Sequence, residues 1–211
     1  MSVLATPRLV PGLAILCATA CIKLGPKADT SRFLLLTPIP SAGHSTDSTA
    51  GNLSRPDQVT LGVGPIRLPG YLDRDELVTR ISENRLSLGG NDRWGEPLEE
   101  NFSRVLSQNL YLRLPGERVI RFPWPSTERP TYQVEIDVLR FEADTARRAQ
   151  LVARWFLRDV ATNEALSIKE SHLSREAKGS SLDESVAMLS ALLADLSSEI
   201  ADALRTTRLL Q

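Results

Sequence analysis

Past residue 21 the chain contains no cysteine; its only two, Cys17 and Cys21, both fall before that point. The body can therefore hold no disulfide, no thiolate zinc centre and no cysteine nucleophile. Histidine is almost as scarce. His44 lies in a Ser/Thr-rich stretch that offers no fixed geometry, and His172, near the end of a strand candidate, reads as an exposed or hydrogen-bonded structural residue. Two histidines without a thiol or a carboxylate pair make no metal site. Charge of one sign is missing too: 25 Lys+Arg stand against 26 Asp+Glu, a net of -1 with no basic cluster. A nucleic-acid binder needs a basic face to displace phosphate counterions, so that class is not expected. Aromatics make up only 5 % of the chain, so the core of a 42 % apolar sequence falls to Leu, Val, Ile and Ala. No uninterrupted apolar run of about 18 residues follows the N-terminus, so no spanning helix is expected in the body. A length of 211 residues suits one domain, because two would each be core-poor.

Nucleophile elbows and Walker phosphate loops are also absent. Gly62-x-Gly64 follows a strand candidate but lacks the third glycine and the helix start of a dinucleotide fingerprint. The carboxylate pairs Glu99 with Glu100 and Glu135 with Asp137 sit on expected solvent faces. No enzyme, cofactor or metal is expected from these residues. Asn52-Leu53-Ser54 and Asn101-Phe102-Ser103 match the glycosylation sequon, but Asn101 falls inside an expected helix.

What is present begins at the N-terminus. A short segment ending in Arg8 precedes an apolar stretch, Leu9 to Ala20, that Pro11 and Gly12 interrupt. A positive segment, about a dozen apolar residues and small residues before a processing point make a secretory signal. Ala18-Thr19-Ala20-Cys21 resembles a lipobox, where cleavage precedes a diacylated cysteine; Cys17 is poorer, because bulky Leu16 precedes it. The competing reading is an ordinary Ala-x-Ala cut that leaves Cys21 a free thiol. Two or three acyl chains on Cys21 would anchor the protein durably, whereas one holds marginally. The expected layout is a signal peptide over 1–20, a lipidated tether over 21–31 and a folded body over 32–206.

Along the body, Arg32 to Thr37 reads as a strand buried on both faces, and Ser41 to Ser54 as a loop. Val59, Leu61 and Val63 alternate as a strand. Asp73-x-x-Glu76 approximates a capping box, and Leu77, Val78 and Ile81 give a short first helix its apolar face. A brief strand over Arg85 to Leu88 closes at Gly89-Gly90. A second helix starts near Glu96-Pro97, with Leu98, Phe102, Val105, Leu106 and Leu110 on one stripe. Arg118 to Phe122 is a strand, and Tyr132–Phe141, Gln150–Arg158 and Ala165–Leu173 form an antiparallel meander. Ser181 to Glu184 is a capping box, after which Leu182, Val186, Leu189, Leu193, Leu196 and Ile200 repeat at a spacing that suits a coiled-coil seam or a helix lying across the sheet. The expectation is a single α+β domain, a largely antiparallel sheet covered by about three helices including a long C-terminal one.

Two stretches carry a likeness. Val63-Gly64-Pro65-Ile66-Arg67-Leu68-Pro69-Gly70-Tyr71-Leu72-Asp73-Arg74 is followed by Leu77-Val78-Thr79-Arg80, and Asp92-Arg93-Trp94-Gly95-Glu96-Pro97-Leu98 opens the second helix. A Pro-x-Tyr-Leu-Asp-Arg turn followed by Arg-Trp-x-x-Pro-Leu resembles the PqiC family, auxiliary lipoproteins of ABC-type, MCE-containing intermembrane transport systems. Phe33-Leu34-Leu35-Leu36 and Trp155-Phe156-Leu157-Arg158-Asp159 also fit, so the likeness covers nearly all of 21–205. The sequence departs from the family at Ala18 in the lipobox and in the long Ser41–Ser54 insertion.

The resemblance implies a non-enzymatic adaptor, lipid-anchored at the outer membrane and facing the periplasm, that docks the far end of an MCE-protein tube supported by an inner-membrane ABC permease. Ile22 after the cysteine, rather than Asp, favours the outer membrane by the same likeness. Lipid or another hydrophobic molecule is the implied cargo, and a homo-oligomeric ring would match a symmetric tube. Tyr71, Arg74, Arg93 and Trp94 are candidate partner-interface residues; for Tyr71 and Trp94 the competing role is core packing, and for Arg74, Arg80 and Arg93 pairing with nearby carboxylates. An alternative class is an outer-membrane assembly lipoprotein acting as plug or chaperone for a β-barrel partner.

Overall fold

The computed structural model of the chain describes residues 30–40, 58–176 and 181–209. The expected signal peptide, Cys21 with most of the tether, and the Ser/Thr-rich segment with His44 lie outside them. The described elements are β1 (Arg32–Leu34), β2 (Thr60–Arg67), β3 (Glu76–Ser82), β4 (Arg85–Trp94), α1 (Leu98–Arg113), β5 (Arg118–Arg121), β6 (Tyr132–Asp144), β7 (Arg148–Asp159), β8 (Ala165–Glu176) and α2 (Leu182–Leu209). The described residues from Ser31 onward form one compact unit.

Strand β6 is the spine of the sheet. Its first half runs parallel to β2 and its last two residues run parallel to β3, while β7 lies antiparallel along its whole other edge. Beyond β7 comes β8; beyond β3 come β4 and then β1, and β5 flanks β2. Four of the seven strand pairings are parallel (β1 with β4, β2 with β5, β2 with β6, β3 with β6). The α+β class holds, but the sheet is mixed, not largely antiparallel. The expected meander of β6, β7 and β8 is there; parallel pairs close through distant crossovers and leave no local turn signature.

The helix count also needs correction, from three to two among the described residues. The segment after Asp73 is strand β3, not a helix. Val78, Thr79 and Ile81 are β-branched and suit a pleated surface, and Glu83-Asn84 is a two-residue turn that hands β3 to β4 with Ser82 opposite Arg85. Strand β4 does not stop at Gly89-Gly90 but continues to Trp94. At the N-terminal edge, β1 is only three residues long and is not buried on both faces: Phe33 and Leu35 are exposed and Leu36 is the first core residue.

Both helices were legible, and both deliver their stripes to the core. On α1, Leu98, Phe102, Val105, Leu106 and Leu110 are all buried, and Phe102 meets Phe141 of β6 edge-on at 5.2 Å between ring centroids. Each such side chain contributes roughly 1.5–3 kcal/mol on leaving water, as an upper bound. The α2 start is capped as expected, Ser181 Oγ accepting the Glu184 N–H at 3.1 Å. Val186, Leu189, Leu193, Leu196 and Ile200 of α2 are spent on β6, β7, β8 and α1 within one chain. The coiled-coil alternative is thereby excluded for that seam. No helix among the described residues is long and apolar enough to cross a membrane.

The Gly62-x-Gly64 pair serves packing. A Cβ on Gly62 would stand 2.9 Å from Pro130 Cγ and 3.0 Å from Trp124, and Gly64 has φ of +113° with Phe122 Cβ 2.8 Å from where its own Cβ would be. The 122–130 segment therefore lies directly on β2, which only glycine permits. Asn101, the sequon residue, is completely buried.

Candidate functional site

Three side chains of the helices receive the chain as it enters the body. After β1 the backbone runs extended, and its N–H groups have no strand partner. Leu36 N–H donates to Asn101 Oδ1 (2.7 Å), Thr37 N–H to Ser190 Oγ (3.1 Å) and Ile39 N–H to Asn109 Oδ1 (2.8 Å). Asn101 and Asn109 lie eight positions apart on α1, two turns, so both face the same strap. Buried main-chain donors are thus satisfied by side chains, and the first structured residues are fixed to both helices.

The two motif stretches meet at the N-terminal end of α1. Trp94 N–H donates to the Asp75 carbonyl (2.7 Å), and Gly95 N–H to the Leu34 carbonyl (2.8 Å), so the turn before β3, the end of β4 and β1 are tied through the main chain. Between them is a cleft of about 310 Å³. Leu68, Asp73 and Arg74 line it from the first stretch, with Asp75 just after them, and Pro97 from the second, with Glu99 just beyond it. Arg74 is half-buried and its Nε donates to the Tyr71 carbonyl (2.9 Å), which holds the turn closed. Burial, then the nearby Glu100 and Asp73, push the Glu99 carboxyl above its ordinary range. Carboxylates thus outnumber the single guanidinium in the cleft lining.

The candidate interface residues divide. Trp94 is 6 % exposed and belongs to the core. Tyr71 is half-buried, with the Arg80 guanidinium 6.0 Å from its ring centroid. Arg93 stands in register with Phe33 on one side and Glu76 on the other, and its shielded Nε meets no acceptor among the described residues. Only Arg74 lines the cleft itself. Cys21 lies outside the described residues.

The strongest polar feature is Glu142 on β6. Between Val138 and Arg140 the register with β7 slips by one residue. Before that bulge the even positions face inward; after it Phe141 does, and Glu142 is turned to the opposite face. There it is nevertheless only 3 % exposed. Tyr71 Oη–H donates to Oε2 (2.6 Å), and Arg80 Nε (2.6 Å) and Arg140 Nε (2.8 Å) donate to Oε1. Burial pushes this carboxyl up, but the hydrogen bonds from Tyr71, Arg80 and Arg140 outweigh it and hold Glu142 below the usual carboxylate range. Burial, then the bond to Glu142, raises the Tyr71 phenol far above its ordinary value. A carboxylate fully engaged by two guanidiniums and a phenol is a structural lock with no proton to exchange near neutral pH. Among the described residues no group of three or more His, Cys, Asp or Glu is placed to hold a metal ion. His172 sits exposed on β8, its Nε2 2.9 Å from Glu170 Oε1.

Sequence reasoning missed Glu142 and the strap asparagines. For Glu142 the bulge hides the signal. Asn101 and Asn109 did carry one: each adjoins the apolar stripe, beside Phe102 and Leu110.

The fold recurs in solved structures. One uncharacterized protein shares 23 % identity, with 69 % of this chain and 92 % of that one covered at a TM-score of 0.63. A Xanthomonas campestris protein of family DUF330 shares 17 % identity, with 86 % and 95 % covered at 0.60. These likenesses show the fold. A comparison with curated proteins finds no match. The family comes from the sequence model of the ABC-type transport auxiliary lipoprotein component, which matches residues 36–201, and the chain belongs to that family. It is therefore a member of a lipoprotein family, and a membrane-associated one, as the PqiC-like motifs implied.

Proposed function

We propose that the protein is a non-enzymatic adaptor, anchored through acyl chains on Cys21 at the periplasmic face of the outer membrane, that docks an MCE-domain protein of an ABC-driven intermembrane lipid transport system. The observation that carries this is the family match over 36–201, with Cys21 fifteen positions upstream of it at the end of a secretory signal. The strap supports the reading mechanically: a load on the tether reaches residues 36–39 and passes to α1 and α2 through three side-chain acceptors. The cleft at the mouth of α1 is the docking face, with Arg74 on its wall. Its acidic lining suits basic or hydrogen-bond-donating side chains of a partner. Copies of the body arranged as a ring would present that cleft repeatedly to a symmetric tube, adding avidity without new contacts.

Crosslinking and capture from membranes tests the proposal, wild type against Cys21→Ala. Recovery of an MCE-domain protein with wild type, reduced when the anchor is lost, is the expected result. Capture of a β-barrel protein alone would replace it with the assembly-lipoprotein reading, and unchanged membrane attachment of Cys21→Ala would remove the anchor.

A further inference from the structure

Large apolar side chains exposed on the body mostly stand singly: Leu88 on β4, Tyr111 on α1, Phe122 after β5, Leu139 at the β6 bulge and Ile168 on β8. Isolated residues of this kind are ordinary on a protein surface. Phe33 and Leu35 are different. They are 67 % and 48 % exposed, Phe33 on the edge strand β1 and Leu35 just past its end, and both line one cleft. That small cleft has a mixed lining, Leu34, Leu35 and Val186 on its apolar side and Thr37, Asp183 and Ser190 on its polar side. The strap that follows is pinned at residues 36, 37 and 39, so the pair is held in a fixed position on the body instead of being free to fold back.

Their place in the chain says what covers them. Phe33 stands twelve positions after Cys21, a reach of at most about 40 Å fully extended. If Cys21 carries acyl chains, this pair is the first large apolar feature of the body above the bilayer, and the short tether keeps its local concentration at the membrane surface high. Neighbouring Arg32 pairs with Asp92 at 2.7 Å, which offsets its charge, so the attraction proposed is apolar.

We propose that Phe33 and Leu35 are a membrane seat: they insert at the boundary of headgroups and acyl chains in the same phospholipid leaflet that holds Cys21, so that the body rests with its β1 edge down. This rests on the anchoring of Cys21 proposed above. Acyl chains alone leave a tethered body free to tumble, and a second contact sets its orientation. With the β1 edge fixed, the far end of the sheet and the cleft at the mouth of α1 keep constant positions relative to the membrane.

The test uses the full acylated chain in vesicles of phosphatidylethanolamine and phosphatidylglycerol. Because the body has no cysteine, Leu35→Cys takes one environment-sensitive fluorophore, and Phe33→Cys serves as a second position should the first disturb packing. Ile168→Cys, exposed on β8, is the control. Spin labels on the lipid acyl chains are expected to quench the probe at 35 or 33 several-fold more than the probe at 168, and Phe33→Asp is expected to abolish the quenching at 35. Acylated protein that floats with vesicles but shows equal quenching at all positions overturns the seat while leaving the anchor. A probe at 35 shielded by a second copy, seen as energy transfer between labelled chains without lipid quenching, overturns it in favour of a subunit contact. Protein that carries no acyl mass and does not float removes the anchor, and the seat with it.

Discussion

Glu142→Ala is the perturbation whose outcome follows most directly from the geometry. The wild-type carboxylate is almost fully buried and accepts from Tyr71, Arg80 and Arg140, and the Arg80 side chain is itself only 17 % exposed. Removing the acceptor strands a mostly buried guanidinium and a phenol, and breaking one partner of a buried ion pair costs about 3–5 kcal/mol. In a body of this size that corresponds to a fall in Tm of about 10 °C. Glu142→Gln keeps shape and acceptor but loses the charge that strengthens the bonds, so a loss of about 1–2 kcal/mol is expected. Urea unfolding followed through Trp94, Trp124 and Trp155 reads both. The pH dependence adds a signed check. Glu142 is held below its unfolded value of about 4.3, so its contribution is complete above that pH and disappears as pH falls through the lower folded value. Wild type and Glu142→Gln should therefore differ most at neutral pH and converge in acid. A Glu142→Ala loss under about 1 kcal/mol, or a gap to Glu142→Gln that widens in acid, would refute the reasoning.

Other expectations are equally specific. Asn101→Ala leaves the buried Leu36 N–H without an acceptor and should cost about 1–3 kcal/mol in the same urea assay. Gly64→Ala meets both a positive φ and the Phe122 Cβ; a destabilisation of about 2 kcal/mol or more is expected, measured as the shift in denaturation midpoint. Asp73→Lys with Glu99→Lys reverses the charge of the cleft lining and should reduce capture of the transport partner at least several-fold while leaving Tm within a few degrees, whereas Tyr71→Phe should lower stability and spare capture.

What the residues made legible was local. The α1 and α2 stripes announce themselves because helical spacing brings their apolar positions onto one face, and the β6–β7–β8 meander because short polar turns join alternating strands. Strand β3 misled because Asp73-x-x-Glu76 with Leu77, Val78 and Ile81 satisfies a helical template equally well; the Glu83-Asn84 turn and pairing to β4 and β6 decide otherwise. The parallel partners of β2 lie 58 and 71 positions away along the chain, beyond any periodicity. The motif stretches were legible as a pair, yet the carboxylate that organises Tyr71 and Arg80 was not, since one extra residue at the β6 bulge inverts which positions face inward.

That inversion has a functional side. The core-facing residues of β6 hold the helices, and after the bulge the same strand presents Glu142 to Tyr71 and Arg80 on the reverse face. The turn that carries Tyr71 continues directly into Asp73 and Arg74 on the cleft wall. Opposite it, Glu99 lies two positions before Asn101 on α1, which grips the strap at Leu36. One turn of helix thus holds both the strap after β1 and one wall of the cleft. The adaptor proposed above would use that short path, from strap through α1 to cleft, to hold its partner in place.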